Sequence, residues 1–383
     1  MERNDSSSSE VPPPLYPPPL PSARPVRPRN GWKNAAILLA VVLVGVLGLS
    51  MVGRVLRAFS GPTGLTQRVA GPQLEEVFLE HNHADQKIVV IPVEGIITSQ
   101  ALDGGGYSMV RHISDQLKRA AKDDDVRAVI LKVDSPGGEV LASDDIANAI
   151  RKFQTKHHKP VIAAMGSLAA SGGYYISAPC RWIVANELTI TGSIGVIMHG
   201  YNYRGLMNKV GLQPQVFKSG RFKDMLSGEK DLEKMTPQER ADVDEETRMV
   251  QTMINQTFDK FKKVVDDGRK EANQLNGSNE DKGRPLNKTW QSYADGRVLS
   301  GKDALELGFV DELGGFETAV ARAKQLAKIE AADLVTYQPL FDWANVFRMF
   351  GQSESRALKV DLGLPATKLQ SGQLYFLWPY AVR

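Results

Sequence analysis

At 383 residues the chain is long enough for one large or two ordinary domains with a substantial core. Its 47 Lys and Arg stand against 44 Asp and Glu, a balance that gives no basic surplus for binding nucleic acid. A single cysteine, Cys180, excludes an intrachain disulfide and any multi-cysteine metal site; beside Ala178, Pro179 and Trp182 it reads as a small core residue.

Residues 1–30 are dominated by Pro and Ser and cannot bury enough apolar surface to order themselves, so a disordered tail is expected, with a polyproline ligand as the alternative. Residues 35–52 run without a charge, and the segment 31–54 is read as one uncleaved transmembrane anchor. Arg24, Arg27, Arg29 and Lys33 precede it while Arg54, Arg57 and Arg68 follow. The positive-inside rule then puts the N-terminus in the cytoplasm and the rest of the chain outside the cytoplasmic (inner) membrane. Residues 55–86 read as a tether.

An ordered domain is expected over 87–335. It opens with a strand over 87–98, a glycine loop at Gly104, Gly105 and Gly106, and a helix over 109–122 with Val110, Ile113, Leu117 and Ala120 on one face. A buried strand over 126–133 ends in Asp134-Ser135-Pro136-Gly137-Gly138, followed by a helix over 139–153 and a short strand over 160–165. Strands alternating with helices of this length predict right-handed βαβ crossovers and a mostly parallel sheet, an α/β fold. Further on lie short apolar runs at 182–186 and 193–198, a helix over 203–210, an extended stretch at 213–218 and a polar loop at 220–228. Thr236-Pro237 caps a long helix reaching about residue 269. Residues 274–288 are polar and read as a surface excursion, 294–315 as strand and helix, and 316–328 as a closing helix. The C-terminal extension, 336–383, ends too apolar to be left free in water.

Chemistry points to residues 165–180, where small residues crowd around Ser171. After a buried strand the serine falls at a strand-to-helix turn, and the unpaired amides opening that helix, Gly172 first, suit a developing oxyanion. A Gly/Ser turn packed closely on a neighbour is the plainer reading. Gly137 and Gly138 offer a second donor, since glycine lets backbone approach a reacting carbonyl closely. No Gly-Lys-Ser/Thr follows the serine turn, so it is not a phosphate loop.

A serine hydroxyl needs a base. His81 and His83 lie in the tether, His157 and His158 in a Lys-rich turn, and His112 on a helix; His199, at the end of an apolar run, is the one histidine candidate. A neutral lysine can also serve, provided its pKa drops by roughly 2–3 units from about 10.4, which costs on the order of 3–4 kcal/mol. Lys218 and Lys223 are both candidates, and Ser193 could hold the amine in place.

Taken together, DSPGGEV, GSLAASGGYYIS, TGSIGVIM, FKSGRFKDMLS and ADGRVLSGKDALELGFVDELG, in this order over 87–328, resemble the signal peptide peptidase A (protease IV) family in its single-copy form. That resemblance implies a ClpP/crotonase-like α/β domain. It makes Ser171 the nucleophile, Lys223 rather than Lys218 the general base, Ser193 the residue orienting the lysine, and the amides of Gly138 and Gly172, with Gly137 beside them, the oxyanion and substrate-binding donors. It implies no metal and no cofactor. It also implies a ring-like homo-oligomer in which one subunit's serine meets a neighbour's lysine, acting on remnant signal peptides and other hydrophobic peptides. Three rivals remain at this point: a catalytically idle ring-forming membrane scaffold, an acyl hydrolase using the same dyad, and a crotonase-like acyl-CoA enzyme, which would have no use for the serine.

Overall fold

Strands β2 (Lys87–Glu94) and β3 (Val126–Ser135) carry unbroken apolar runs because both of their faces are covered: Ile88, Val89, Val90 and Ile91, like Ala128, Val129, Ile130 and Leu131, are buried. They pair in parallel from Ile88 opposite Ala128 to Glu94 opposite Asp134. The computed structural model describes Leu39 and residues 74–100, 108–277, 283–339 and 374–377.

The main sheet runs in the order β1 (Leu74–Glu80), β11 (Asp333–Pro339), β2, β3, β5 (Val161–Ala170), β6 (Trp182–Ala185) and β10 (Glu312–Leu313). Strand β5 forks. Its first half pairs with β6, and Leu168–Ala170 pair with β7 (Ile190–Gly192), which in turn meets β9 (Val298–Ser300). Only β1 with β11 and β7 with β9 are antiparallel among these described pairings. The sheet and its helical crossovers form the mostly parallel α/β architecture expected above.

Strand alternation divides the core into two layers. Val89, Ile91, Val129 and Leu131 face α1 (Met109–Lys122), α2 (Val140–His157), α3 (Gly172–Ser177) and α5 (Pro237–Asn276). Ile88, Val90, Ala128, Ile130, Ile162 and Val184 face the opposite way, onto Ala319 and Ala323 of α7 (Phe316–Ala327). Burying each Val, Leu or Ile side chain contributes about 1.5–3 kcal/mol, so these two layers dominate the stability of the domain.

The long helix α5 starts at a capping box made by Thr236 and Glu239 with Pro237 at its first position. In its second half Gly268 packs on the Ala178 carbonyl and Arg269 is 1% exposed. Arg269 donates to the carbonyls of Ala178 and Cys180 and pairs with Asp311 at 2.7 Å, tying α5 beneath α3. Three shorter elements, α4 (Arg204–Lys209), α6 (Gly301–Glu306) and a 3-10 turn at Trp290–Tyr293, fill in the connections.

A second, small sheet consists of β4 (Gly137–Glu139), β12 (Leu374–Leu377) and β8 (Ile197–Met198), antiparallel throughout.

Several expectations need correction. Residues 74–80, read as tether, are strand β1; it pairs with β11 and sends Glu76 to Lys87 at 3.0 Å. Strand β5 extends to Ala170, five residues past the expected end, because β7 continues the ladder where β6 stops. Helix α5 runs on to Asn276, whose side chain bonds Arg181 and is buried, so the start of the expected 274–288 excursion is packed structure. Of the 193–198 run only Ile197–Met198 is strand, and 213–218 forms no ladder. From the C-terminal extension, β12 returns to the domain. The N-terminal tail lies outside the described residues, as does the expected anchor apart from Leu39; among the described residues no helix is long and apolar enough to cross a membrane.

Candidate active site

Ser171 stands where β5 ends and α3 begins. Its backbone is at φ 54° and ψ −114°, a conformation that non-glycine residues rarely hold. Two hydrogen bonds and burial impose it: the Ser171 amide donates to the Gly192 carbonyl at 2.8 Å, its carbonyl accepts from the Tyr175 amide at 2.8 Å, and the residue is 1% exposed. The hydroxyl has no hydrogen-bond partner among the described residues. A serine fixed this firmly with its hydroxyl unspent is unusual for a purely structural turn.

The glycines crowd against it. A methyl group built on Gly172 would lie 2.7 Å from the Ser143 hydroxyl, 3.0 Å from the Gly137 Cα and 3.0 Å from the Gly138 amide nitrogen. One built on Gly137, at φ 101°, would lie 2.6 Å from the Gly172 amide nitrogen. The Gly137-Gly138 and Gly172 backbones therefore lie against one another, and only glycine lets the two turns meet so closely. Ser135 fixes the turn from behind, donating to the Gly95 carbonyl at 2.6 Å and accepting from the Gly137 amide at 3.1 Å.

Ser193 joins this group through the sheet. Strands β5 and β7 pair at Ala170 opposite Gly192, so the next residues along each, Ser171 and Ser193, emerge side by side. Ser193 also holds a positive φ, 50°, with its amide bonded to the Arg297 carbonyl at 2.7 Å.

The lysines are elsewhere. Lys223 is exposed, in a turn fixed by its amide bond to the Gly220 carbonyl at 3.1 Å, and its ammonium has no partner among the described residues. No contact brings it to Ser171 within the subunit. Lys218, by contrast, is engaged by Asp224 at 2.8 and 2.9 Å and by the Arg221 carbonyl. Burial raises the Asp224 pKa, but the bond from Lys218 and the charge of Lys230 outweigh it and hold the carboxylate below its usual range. His199 lines a cavity of about 260 Å³ with Tyr201, Leu226 and Lys230 and makes no hydrogen bond to Ser171.

Cys180 is buried under α3, with its thiol pushed up to about 12 by burial, and takes no part in this chemistry. The sequence reading missed the aromatic group beside the serine: Tyr175, Phe261 of α5 and Phe376 of β12 lie with ring centroids 4.6–4.9 Å apart. The apolar end of the chain was its one visible signal.

Residues 153–330 match the profile of peptidase family S49. An Enterococcus faecium protein assigned as signal peptide peptidase SppA is 32% identical over 318 residues, spanning 81% of this chain and 85% of that protein. A Methanocaldococcus jannaschii protein assigned as a protease is 33% identical over 308 residues, spanning 79% and 84%. Protease 4 of Haemophilus influenzae is 35% identical over 258 residues, 65% of this chain but 36% of that longer protein. With the first two relatives this similar along most of their length, the chain belongs to peptidase family S49 and is a serine protease of the signal peptide peptidase A kind.

Proposed function

We propose that the chain is a membrane-anchored endopeptidase with a Ser-Lys dyad, cleaving remnant signal peptides and other hydrophobic peptides on the extracytoplasmic side. Ser171 is the nucleophile, and Lys223 of a neighbouring subunit in a ring-like homo-oligomer is the base. The observation that carries this reading is the incompleteness of each half. Among the described residues, Ser171 is buried and strained next to two glycine amides with no base bonded to it, while Lys223 is exposed with its ammonium unpartnered.

In the reaction the Ser171 Oγ adds to the peptide carbonyl as its proton passes to the neutral Lys223 amine. The Gly138 and Gly172 amides donate to the oxyanion, with Gly137 shaping the approach, and Ser193 orients the amine. The ammonium then protonates the leaving amine, and water, deprotonated by the same lysine, releases the acyl group from Ser171.

The exposed apolar residues in the stretch before Lys223 support the oligomer. Tyr201, Leu206, Val210, Leu212 and Phe217 are all exposed, Phe217 at 91%, a run that a free surface rarely carries. The uncharged, apolar run at 35–52 supports the anchor.

The test is peptide cleavage by the wild type, Ser171→Ala, Lys223→Ala and a mixture of the two variants co-assembled. Both single variants should be inactive, and the mixture should regain activity because some sites pair an intact serine with an intact lysine. Full activity in Ser171→Ala would overturn the nucleophile; a mixture that forms mixed rings yet stays inactive would overturn the shared site. A parallel ester panel separates a peptidase from an acyl hydrolase.

A further inference from the structure

Glu139 closes β4 and stands at the N-cap of α2, a place that favours short side chains able to accept from the first helical amides. Its side chain makes no such cap bond. It turns instead to the residues just after β2, where the carboxylate accepts from the Thr98 hydroxyl at 2.8 Å, from the Ser99 amide at 2.9 Å and from the Ser99 hydroxyl. The residue is 4% exposed, a depth at which a carboxylate needs such partners. Its backbone is held as well: the amide donates to the Ile97 carbonyl at 2.8 Å, and the carbonyl accepts from the Ser143 hydroxyl at 2.9 Å.

What the carboxylate holds lies against the Gly137-Gly138 turn. Ile97 pairs in parallel with Gly138, donating to the Gly137 carbonyl at 2.9 Å and accepting from the Glu139 amide. In that pattern the amide of Gly138, the residue between, points to the opposite edge of β4. A methyl group built on Gly138 would lie 1.9 Å from the Ile97 carbonyl oxygen, so the two backbones touch. Thr98 and Ser99 follow Ile97 directly. Their bonds to Glu139 therefore close a ring that runs from Ile97 to β4, through the Glu139 side chain, and back to the residues beside Ile97. Swinging the Gly138 amide out of line must break or stretch that ring.

We propose that Glu139 is a positioning residue for the oxyanion site: by gripping Thr98 and Ser99 it locks Ile97 along β4 and so fixes the direction of the Gly138 amide. The proposal rests on Ser171 as nucleophile and Gly138 as oxyanion donor, as argued above. An oxyanion donor acts on a charge that is present only once the serine has added, and its advantage lies in being aimed beforehand. A donor free to swing loses that advantage while the contacts of the bound, unreacted peptide stay in place. The clamp thus governs turnover, and binding is left nearly as it was.

The experiment uses the full chain in detergent micelles. Glu139→Gln should lower kcat about tenfold to a hundredfold, short of the roughly 10²–10³ for losing a donor outright, with KM within about twofold of wild type. Two probes sharpen this: acetyl-Leu-Leu-leucinal, whose aldehyde carbon takes the Ser171 Oγ to form a hemiacetal, and the matching alcohol, which has no carbonyl to attack. Affinity for the aldehyde should fall in step with kcat while affinity for the alcohol holds. Thr98→Val should act in the same direction, Thr98→Ser should recover most of what it loses, and adding Thr98→Val to Glu139→Gln should cost little more than Glu139→Gln alone. Should Glu139→Gln fail to fold, the Thr98 pair makes the comparison. A kcat within twofold of wild type, or equal weakening of aldehyde and alcohol, would overturn the proposal. Hydrogen exchange over 95–99 and 137–140 needs no catalysis and should quicken in both segments of Glu139→Gln. Unchanged exchange there would overturn the clamp whatever Ser171→Ala shows, whereas full activity in Ser171→Ala would overturn the nucleophile and leave the exchange result standing.

Discussion

Ser171 sits in a turn where nearly every neighbour is fixed, whereas Lys223 sits in a segment that lies largely on the surface. Around the serine, two parallel strands, a buried helix and three glycines meet with no room for a methyl group. Around the lysine, Gly200, Gly205, Gly211 and Gly220 have open space where a side chain would begin, and several large apolar residues face outward. On the reading proposed above, one subunit completes the nucleophile and the oxyanion donors while the base region awaits its packing partners. The contrast then teaches that folding and assembly would divide the site between them, and each side of that division can be broken separately.

The serine side should show the largest effects. Arg269→Met removes the counter-ion of buried Asp311 and strips the Ala178 and Cys180 carbonyls of their donor beneath α3. Removing one member of such a pair costs about 3–5 kcal/mol, to be read from urea unfolding. A loss below about 1 kcal/mol would show that the platform does not depend on this anchor.

Next comes a paired substitution. Gly172→Ala should lower kcat by about 10²–10³ through displacement of the donor amides, with the fold retained by circular dichroism. Gly220→Ala, beside Lys223 but in open space, should leave turnover within about twofold. Equal effects of the two would erase the contrast.

On the lysine side the expected failure is of assembly. Phe217→Asp adds a charge to the apolar surface but touches no core, so subunit stability should change by no more than about 0.5 kcal/mol. The oligomer should dissociate in sedimentation, with peptidase activity falling about tenfold or more as interface pairing is lost. A stable, active oligomer carrying this substitution would place the interface elsewhere.

The same contrast explains what the sequence made legible. Strands β2 and β3 and helix α1 were readable because their partners are neighbours in the chain and their periods are set by burial on known faces. The turn at Ser171 was readable because so many small residues in succession have few other uses. Strand β1 was not, since its charged and apolar residues mix as an edge strand's do and its partner β11 lies at the other end of the domain. Helix α5 outran its expected end because Asn276, a residue that usually stops a helix, is bonded to Arg181 in the folded core. Strand β12 is the extreme case: four apolar residues that name no partner by themselves, placed by a groove built from residues far earlier in the chain.

Acid should open the lysine side first, by a small margin. Three carboxylates there have pKa values below their ordinary range: Asp224, where burial is outweighed by Lys218 and Lys230; Asp242, through its bond from Arg221; and Glu239, through the Thr236 amide. Because the folded values lie below the ordinary 3.8 of Asp and 4.5 of Glu, their stabilisation is complete above those values and is lost as pH falls through the lower, folded ones. Glu239 is exposed and Asp224 and Asp242 stay partly open to solvent, so each contribution is slight. Their shared location still makes the order of opening measurable. Acid-protease nicking, followed by mass spectrometry as the pH is lowered from about 5 to about 3, should appear first within 218–242, while 161–192 stays protected. First cuts around Ser171 would mean that the serine platform is the looser half, and the division between folding and assembly would have to be drawn the other way round.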